Sequence, residues 1–248
     1  MKKLTFLSLC LFIASTVWGQ PAPDKIGNIT VQPIEHASLA LFTSNKTVFV
    51  DPVGHAQEFN ALKTPDIILI TDIHGDHFSP KTLESLHLKN TVLVVPQVVA
   101  DKLPDHLKSQ VIVLHNGNSK TVKGIDISAL PMYNLPESPT AYHTKGRGNG
   151  YVIILDGKRI YISGDTGDTP EMRALKNIDI AFVCMNLPYT MDIHHAAEGV
   201  LAFKPAIIYP YHYRGQQGKS DVAAFKQMVE SKNPAIEVRL RDWYPAGQ

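Results

Sequence analysis

The chain has 248 residues, 44% of them apolar, which suits one large domain with a sizeable core. Its 24 basic and 23 acidic side chains form no basic field, which argues against a nucleic-acid partner. Met1-Lys2-Lys3 and the apolar run over residues 4–17 read as a secretory signal, with the mature chain expected to start at Gln20. That run falls short of the ~20 residues a membrane span needs, so no stable span is expected once it is removed. Leu9 is bulky beside Cys10, and lipidation there is not expected. Loss of Lys2 and Lys3 turns 24 basic side chains into 22, against 23 acidic, a net charge of about −1. Cys184 then stands alone, so no intrachain disulfide can form even where export permits one. Residues 1–19 are expected to be a signal peptide and residues 20–248 a single domain, periplasmic or secreted.

Residues 21–25 read as a short polar lead. Residues 29–34 and 39–42 read as strands, and Ser44-Asn45-Lys46 as a hairpin turn into a strand ending at Asp51-Pro52. His36 lies between two strands, facing a site or bonded within its loop. Ile67, Ile68, Leu69 and Ile70 run together without alternation, as in a buried strand. Asp72, His74, Asp76 and His77 follow within six residues, and Gly75 lets the chain turn between them. Carboxylate and imidazole are ligands for zinc, iron or manganese, so this stretch is expected to be a metal site at a strand end. A helix-capping loop would explain one of these acids, not four such residues. Ser79 and Pro80 mark the start of a helix.

Strands are expected over residues 91–95 and 111–114, with a short helix over 98–103. Residues 125–134 alternate and stop at Met132-Tyr133-Asn134, where Asn134 offers a carbonyl oxygen to a metal or a substrate, or simply caps a turn. Residues 135–149 are rich in Pro, Gly, Ser and Thr and carry His143, Lys145 and Arg147. Two readings stand for this loop: a cationic arm suited to an anionic substrate, or a solvated basic loop. Asp156-Gly157 marks a hairpin whose returning strand ends in Ser163-Gly164-Asp165-Thr166-Gly167-Asp168. Cys184 closes a buried strand as a small core residue. Asp192 precedes a helix carrying His194 and His195, which cannot share one helix face. His212 ends an apolar run as His74 does, and a final helix and strand lead to Trp243 and Tyr244.

His74-Gly75-Asp76-His77 resembles the core of the His-x-His-x-Asp-His motif of the metallo-β-lactamase superfamily, with Asp72 where the first His usually stands. Gly164-Asp165 and His212 resemble later motifs of the same family, and the likeness runs through nearly all of the mature chain. Tyr133-Asn134, His143 and the Gly-Tyr strand resemble the ascorbate-phosphate lactonase-like branch. The resemblance implies an α+β fold, a four-layer αββα sandwich. It implies one or two ions, zinc first, with manganese or iron favoured by the harder Asp72. Asp72 and His74 would serve one ion, with Asn134 weakly or not at all. Asp76, His77 and His212 would serve the other, Asp165 would bridge them, and Asp51 would orient a ligating His. The implied reaction is hydrolysis of an ester, lactone or phosphoester through a metal-activated hydroxide. Asp76 and Asp165 would handle the water, His143 or Tyr189 would steady the leaving group, and Tyr189 would border the pocket. The alternative is an exported, non-enzymatic protein that binds metal or a small ligand, suggested by Asp72 and by the lack of a third His after residues 125–134.

Overall fold

A computed structural model describes residues 21–244. The signal segment, Cys10 and the Gln20 start lie outside the described residues. The first sheet runs in chain order through β1 (Asp24–Ile26), β2 (Ile29–Glu35), β3 (Ser38–Phe42), β4 (Thr47–Val50), β5 (Ile67–Leu69), β6 (Val92–Val95) and β7 (Val111–Val113). Its first four strands form an antiparallel meander, and β4 to β7 run parallel. Parallel neighbours need crossovers. These are α1 (Ala56–Ala61), α2 (Pro80–Ser85) and α3 (Gln97–Ala100), the last followed by a 3-10 turn over Asp105–Gln110.

The second sheet repeats this plan. The strands β8 (Ser119–Val122), β9 (Ile125–Met132), β10 (Gly148–Leu155) and β11 (Lys158–Ile162) form a meander. Then β12 (Ile180–Cys184) and β13 (Ile207–Tyr211) continue parallel to β11. A small hairpin, β14 (Arg214–Gly215) with β15 (Gly218–Lys219), precedes the edge strand β16 (Glu237–Val238). The crossovers are α4 (Pro170–Arg173), α5 (Ile193–Phe203) and α6 (Val222–Lys232).

Alternation hidden inside the apolar strands builds the layers. In the first sheet Leu39, Leu41, Val48, Val50, Ile67 and Leu69 join the core cluster that contains the second sheet. Their neighbours Ala40, Phe49, Ile68 and Ile70 join a separate cluster with Phe59, Leu83 and Val99 of the helices. A strand buried on both faces needs no polar alternation, hence the unbroken apolar runs. Tyr151 crosses between the sheets and donates its hydroxyl to the Ile70 carbonyl at 2.9 Å. The expected αββα sandwich is the fold observed.

Local chemistry sets the helix starts. Ser79 accepts the Thr82 N–H at 3.1 Å ahead of Pro80, and Asp192 accepts the His195 N–H at 2.8 Å. No helix among the described residues is long and apolar enough to cross a membrane. The lead over residues 21–25 is corrected: Asp24–Ile26 pairs with β2 as an edge strand. Its Asp24 accepts hydrogen bonds from Tyr209 and Arg239, at 2.6 and 3.1 Å, and pairs with Arg241 at 2.6 Å. Alternation cannot reveal a three-residue strand held by such distant partners.

Candidate metal centre

The side chains of the centre come from residues just beyond strand ends. Asp51 follows β4, residues 71–77 follow β5, Asp165 follows β11 and His212 follows β13. His143 rides on the loop between β9 and β10. Asp51 and His212 have φ of 43° and 46°, and His36 has φ 56°. This left-handed backbone costs side-chain-bearing residues ~1–3 kcal/mol each and collects at functional sites. Gly164, with φ 60°, precedes Asp165 and packs against the Met132 thioether and Thr71, leaving no room for a Cβ. Its N–H donates to the Tyr211 hydroxyl oxygen at 3.0 Å.

Two donor groups meet here. Asp76, His77, Asp165 and His212 form one, with ligand atoms within 4.8 Å of one another. His212 Nε2 lies 3.1 Å from His77 Nε2, 3.1 Å from Asp165 Oδ1 and 3.4 Å from Asp76 Oδ2. Asp72, His74 and His143 form the other. His74 Nδ1 lies 2.8 Å from Asp72 Oδ2 and 3.2 Å from His143 Nε2. Asp165 joins the groups: its Oδ2 is 3.2 Å from His77 Nε2 and 3.1 Å from His143 Nε2.

The outer contacts fix which nitrogen can bind. Asp51 Oδ2 faces His77 Nδ1 at 2.8 Å, while the Thr71 N–H and hydroxyl donate to Asp51 at 2.7 and 2.6 Å. A carboxylate there places the proton on Nδ1 and turns the Nε2 lone pair toward Asp165 and His212. Asp165 Oδ1 is buried and has no assigned hydrogen-bond partner among the described residues, although His212 Nε2 lies 3.1 Å away. Lone pairs that converge around an orphaned carboxylate oxygen fit a divalent cation, and the donor types fit zinc, manganese or iron.

The electrostatics agree. Burial works against the charge on His77, yet Asp165 and Asp51 push it well above the usual imidazole range. Burial works against the charge on Asp165, yet His212 and His77 hold it well below the usual carboxylate range. Hydrogen bonds from His212 and His36 likewise overcome burial at Asp76, which is lowered. A field that draws protons onto imidazoles draws a metal cation by the same attraction, and the metal then displaces those protons.

The six ligands expected from sequence, Asp72, His74, Asp76, His77, Asp165 and His212, all converge. His143 joins them, filling from further along the same loop the gap that Met132-Tyr133-Asn134 leaves. Asn134 does not face the centre: its Oδ1 accepts the His143 N–H and its Nδ2 donates to the Tyr189 carbonyl, each at 2.8 Å. Tyr189 reaches the centre through that carbonyl, 3.2 Å from His143 Nδ1, while its ring meets Tyr142 edge-on at 5.1 Å. The cationic loop is corrected too: Lys145 pairs with Glu171 at 3.0 Å, and Arg147 with Asp72 at 2.9 Å. His36 faces the site rather than its own loop. Its ring lies 3.9 Å from that of His212, and its Nε2 is 3.4 Å from Asp76 Oδ2.

A cavity of about 450 Å³ opens beside Asp76 and is lined by His36, Glu35, Ser38 and Arg214. Arg214, stacked 4.0 Å over the Tyr244 ring, was not singled out from sequence. Tyr244 also bonds His36 Nδ1 at 2.7 Å, a link between residues 208 positions apart that no local pattern announces.

Residues 30–212 match the model of the beta-lactamase superfamily domain. The chain is 33% identical to a UPF0173 metal-dependent hydrolase of Thermoplasma acidophilum, over 72% of this chain and 80% of that one. It is 27% identical to a UPF0173 metal-dependent hydrolase of Pyrococcus abyssi, over 85% and 96%. A crystal structure from Parabacteroides distasonis, provisionally described as a metal-dependent hydrolase, is 37% identical with a TM-score of 0.78, covering 91% of this chain and 99% of that one.

Proposed function

The chain belongs to the beta-lactamase superfamily and is a metal-dependent hydrolase of that fold, and from this premise we propose that it cleaves an ester, lactone or phosphoester bearing an anionic group. The observation that carries the proposal is the pair of donor groups sharing Asp165 beside an open cavity. A divalent metal, when bound, lowers the pKa of water toward ~7 and polarises the bond under attack. Asp72, His74 and His143 would hold one ion, Asp76, His77 and His212 the other, and Asp165 would touch both. Zinc leads; manganese or iron gains from the carboxylate at position 72.

Asp76, 41% exposed, presents its carboxylate to the cavity and orients the attacking water. Because His143 stands among the donors, the leaving-group proton falls to His36, which lines the cavity and lies outside both donor groups. Arg214 on the cavity wall supplies the charge for an anionic substrate. The signal-like N-terminus supports action outside the cytoplasm, so the substrate is one met in the periplasm or medium.

Lactones, phosphodiesters, phosphonate esters and β-lactams, screened with zinc, manganese and iron, test the proposal. Activity should vanish on chelation and fall at least ~100-fold in Asp165→Ala. Full activity in both His74→Ala and Asp165→Ala would place any turnover elsewhere. Tight metal and ligand binding without turnover of any of these would favour a binding protein instead.

A further inference from the structure

The two donor groups are alike in composition: each offers one carboxylate and two imidazoles, and each adjoins Asp165. Their outer neighbours carry opposite charge. Behind His77 stands the carboxylate of Asp51, buried and held by the Thr71 N–H and hydroxyl. Behind Asp72 stands the guanidinium of Arg147. It grips both carboxylate oxygens, with Nε 3.2 Å from Oδ1 and Nη2 2.9 Å from Oδ2. The same Nη2 approaches His74 Nε2 at 3.5 Å. Asp72 is fully buried, so little water screens the pair.

An anion behind an imidazole raises its donor strength, and its charge attracts a cation. A guanidinium on a carboxylate does the reverse: it withdraws the oxygen lone pairs, neutralises the charge and repels a dication seated on the far side. We propose that the centre fills in order, tightly at Asp76, His77 and His212 and weakly at Asp72, His74 and His143, and that Arg147 sets the difference. This rests on the metal-hydrolase reading. Arg147 is thus a positioning residue: it fixes the Asp72 carboxylate and keeps the second ion exchangeable.

The test is a metal titration of the folded, chelator-stripped protein with manganese and with zinc, read by calorimetry against a competing chelator. The wild type should take up two equivalents whose affinities differ at least ~100-fold. Arg147→Gln should tighten the second step at least ~10-fold and leave the first unchanged, while Asp51→Asn should weaken the first ~10- to 100-fold. Arg147→Lys keeps the charge without the fork and should fall between Arg147→Gln and wild type. If the wild type takes up a single equivalent, a second appearing in Arg147→Gln supports the inference and none appearing overturns it. Two equal steps in the wild type, or a gap unmoved in a folded Arg147→Gln, would overturn the inference and leave the hydrolase reading intact. Uptake of no metal would overturn both.

Discussion

At the scale of single residues, chemistry that is contiguous in the chain was legible. Asp72, His74, Asp76 and His77 announce themselves because four ligand-type side chains within six residues have no common structural use. His36 and His143 stand out in the sequence only as candidates beside an ordinary loop role, and Arg214 not at all, because only distant partners decide between the uses of a lone His or Arg. His36→Gln tests the role assigned here: kcat should fall ~100-fold while metal content stays that of wild type. A parallel loss of metal would show instead that His36 supports His212, against which it packs. Cys184 makes the opposite prediction. It is fully buried, and burial pushes its thiol up to about 11. The folded mature protein should therefore leave a thiol reagent such as dithionitrobenzoate unreacted, and the denatured protein should react with one equivalent. Rapid reaction in native buffer would contradict the buried placement.

At the scale of elements, strand existence was readable and strand role was not. Runs such as Ile67–Leu69 are apolar on both faces, so periodicity could not say which residues meet the other sheet and which meet the helices. The two halves share a plan, an antiparallel meander followed by parallel strands, and the carboxyl ends of those strands release the ligands. The loop between β9 and β10 is the element that sequence described least well. Composition leaves it either a cationic arm or a solvated basic loop, yet each of its three nitrogen-bearing side chains is tied: His143 to the centre, Lys145 to Glu171, Arg147 to Asp72. Asn134 shapes that loop with two hydrogen bonds. Asn134→Ala should lower kcat ~10-fold and weaken metal binding at the half holding His143, with a stability loss of about 1–2 kcal/mol for the two bonds. Unchanged kinetics and metal affinity would show that the loop holds its shape without Asn134.

At the scale of the whole molecule, the family resemblance made the sandwich foreseeable, whereas its closure depends on contacts across the full chain. Asp24 on β1 of the first sheet accepts from Tyr209 on β13 of the second and from Arg239 just past β16, and pairs with Arg241, clasping one edge of the two layers. Burial opposes charge on Asp24, but the hydrogen bonds from Tyr209, Arg241 and Arg239 prevail and lower its pKa below the ordinary 3.8. A lowered carboxyl stabilises the fold fully above its unfolded value and ceases to do so as pH falls through its folded value. Asp24→Ala should thus lose about 1–3 kcal/mol in urea unfolding near neutral pH, and the deficit should shrink as pH drops below about 4. A deficit independent of pH would assign it to packing. Sequencing the N-terminus of the exported protein tests the reading of residues 1–19: Gln20 should come first, and retention of Met1 with integral membrane behaviour would contradict export. The central claim is a two-part metal centre joined by Asp165, and an anomalous-difference map from manganese-soaked crystals tests it most directly. It should show two peaks ~3.5–4 Å apart, one among Asp76, His77 and His212 and a weaker one among Asp72, His74 and His143, with Asp165 touching both. Manganese bound only away from Asp165, or no peak among these seven side chains, would contradict the account.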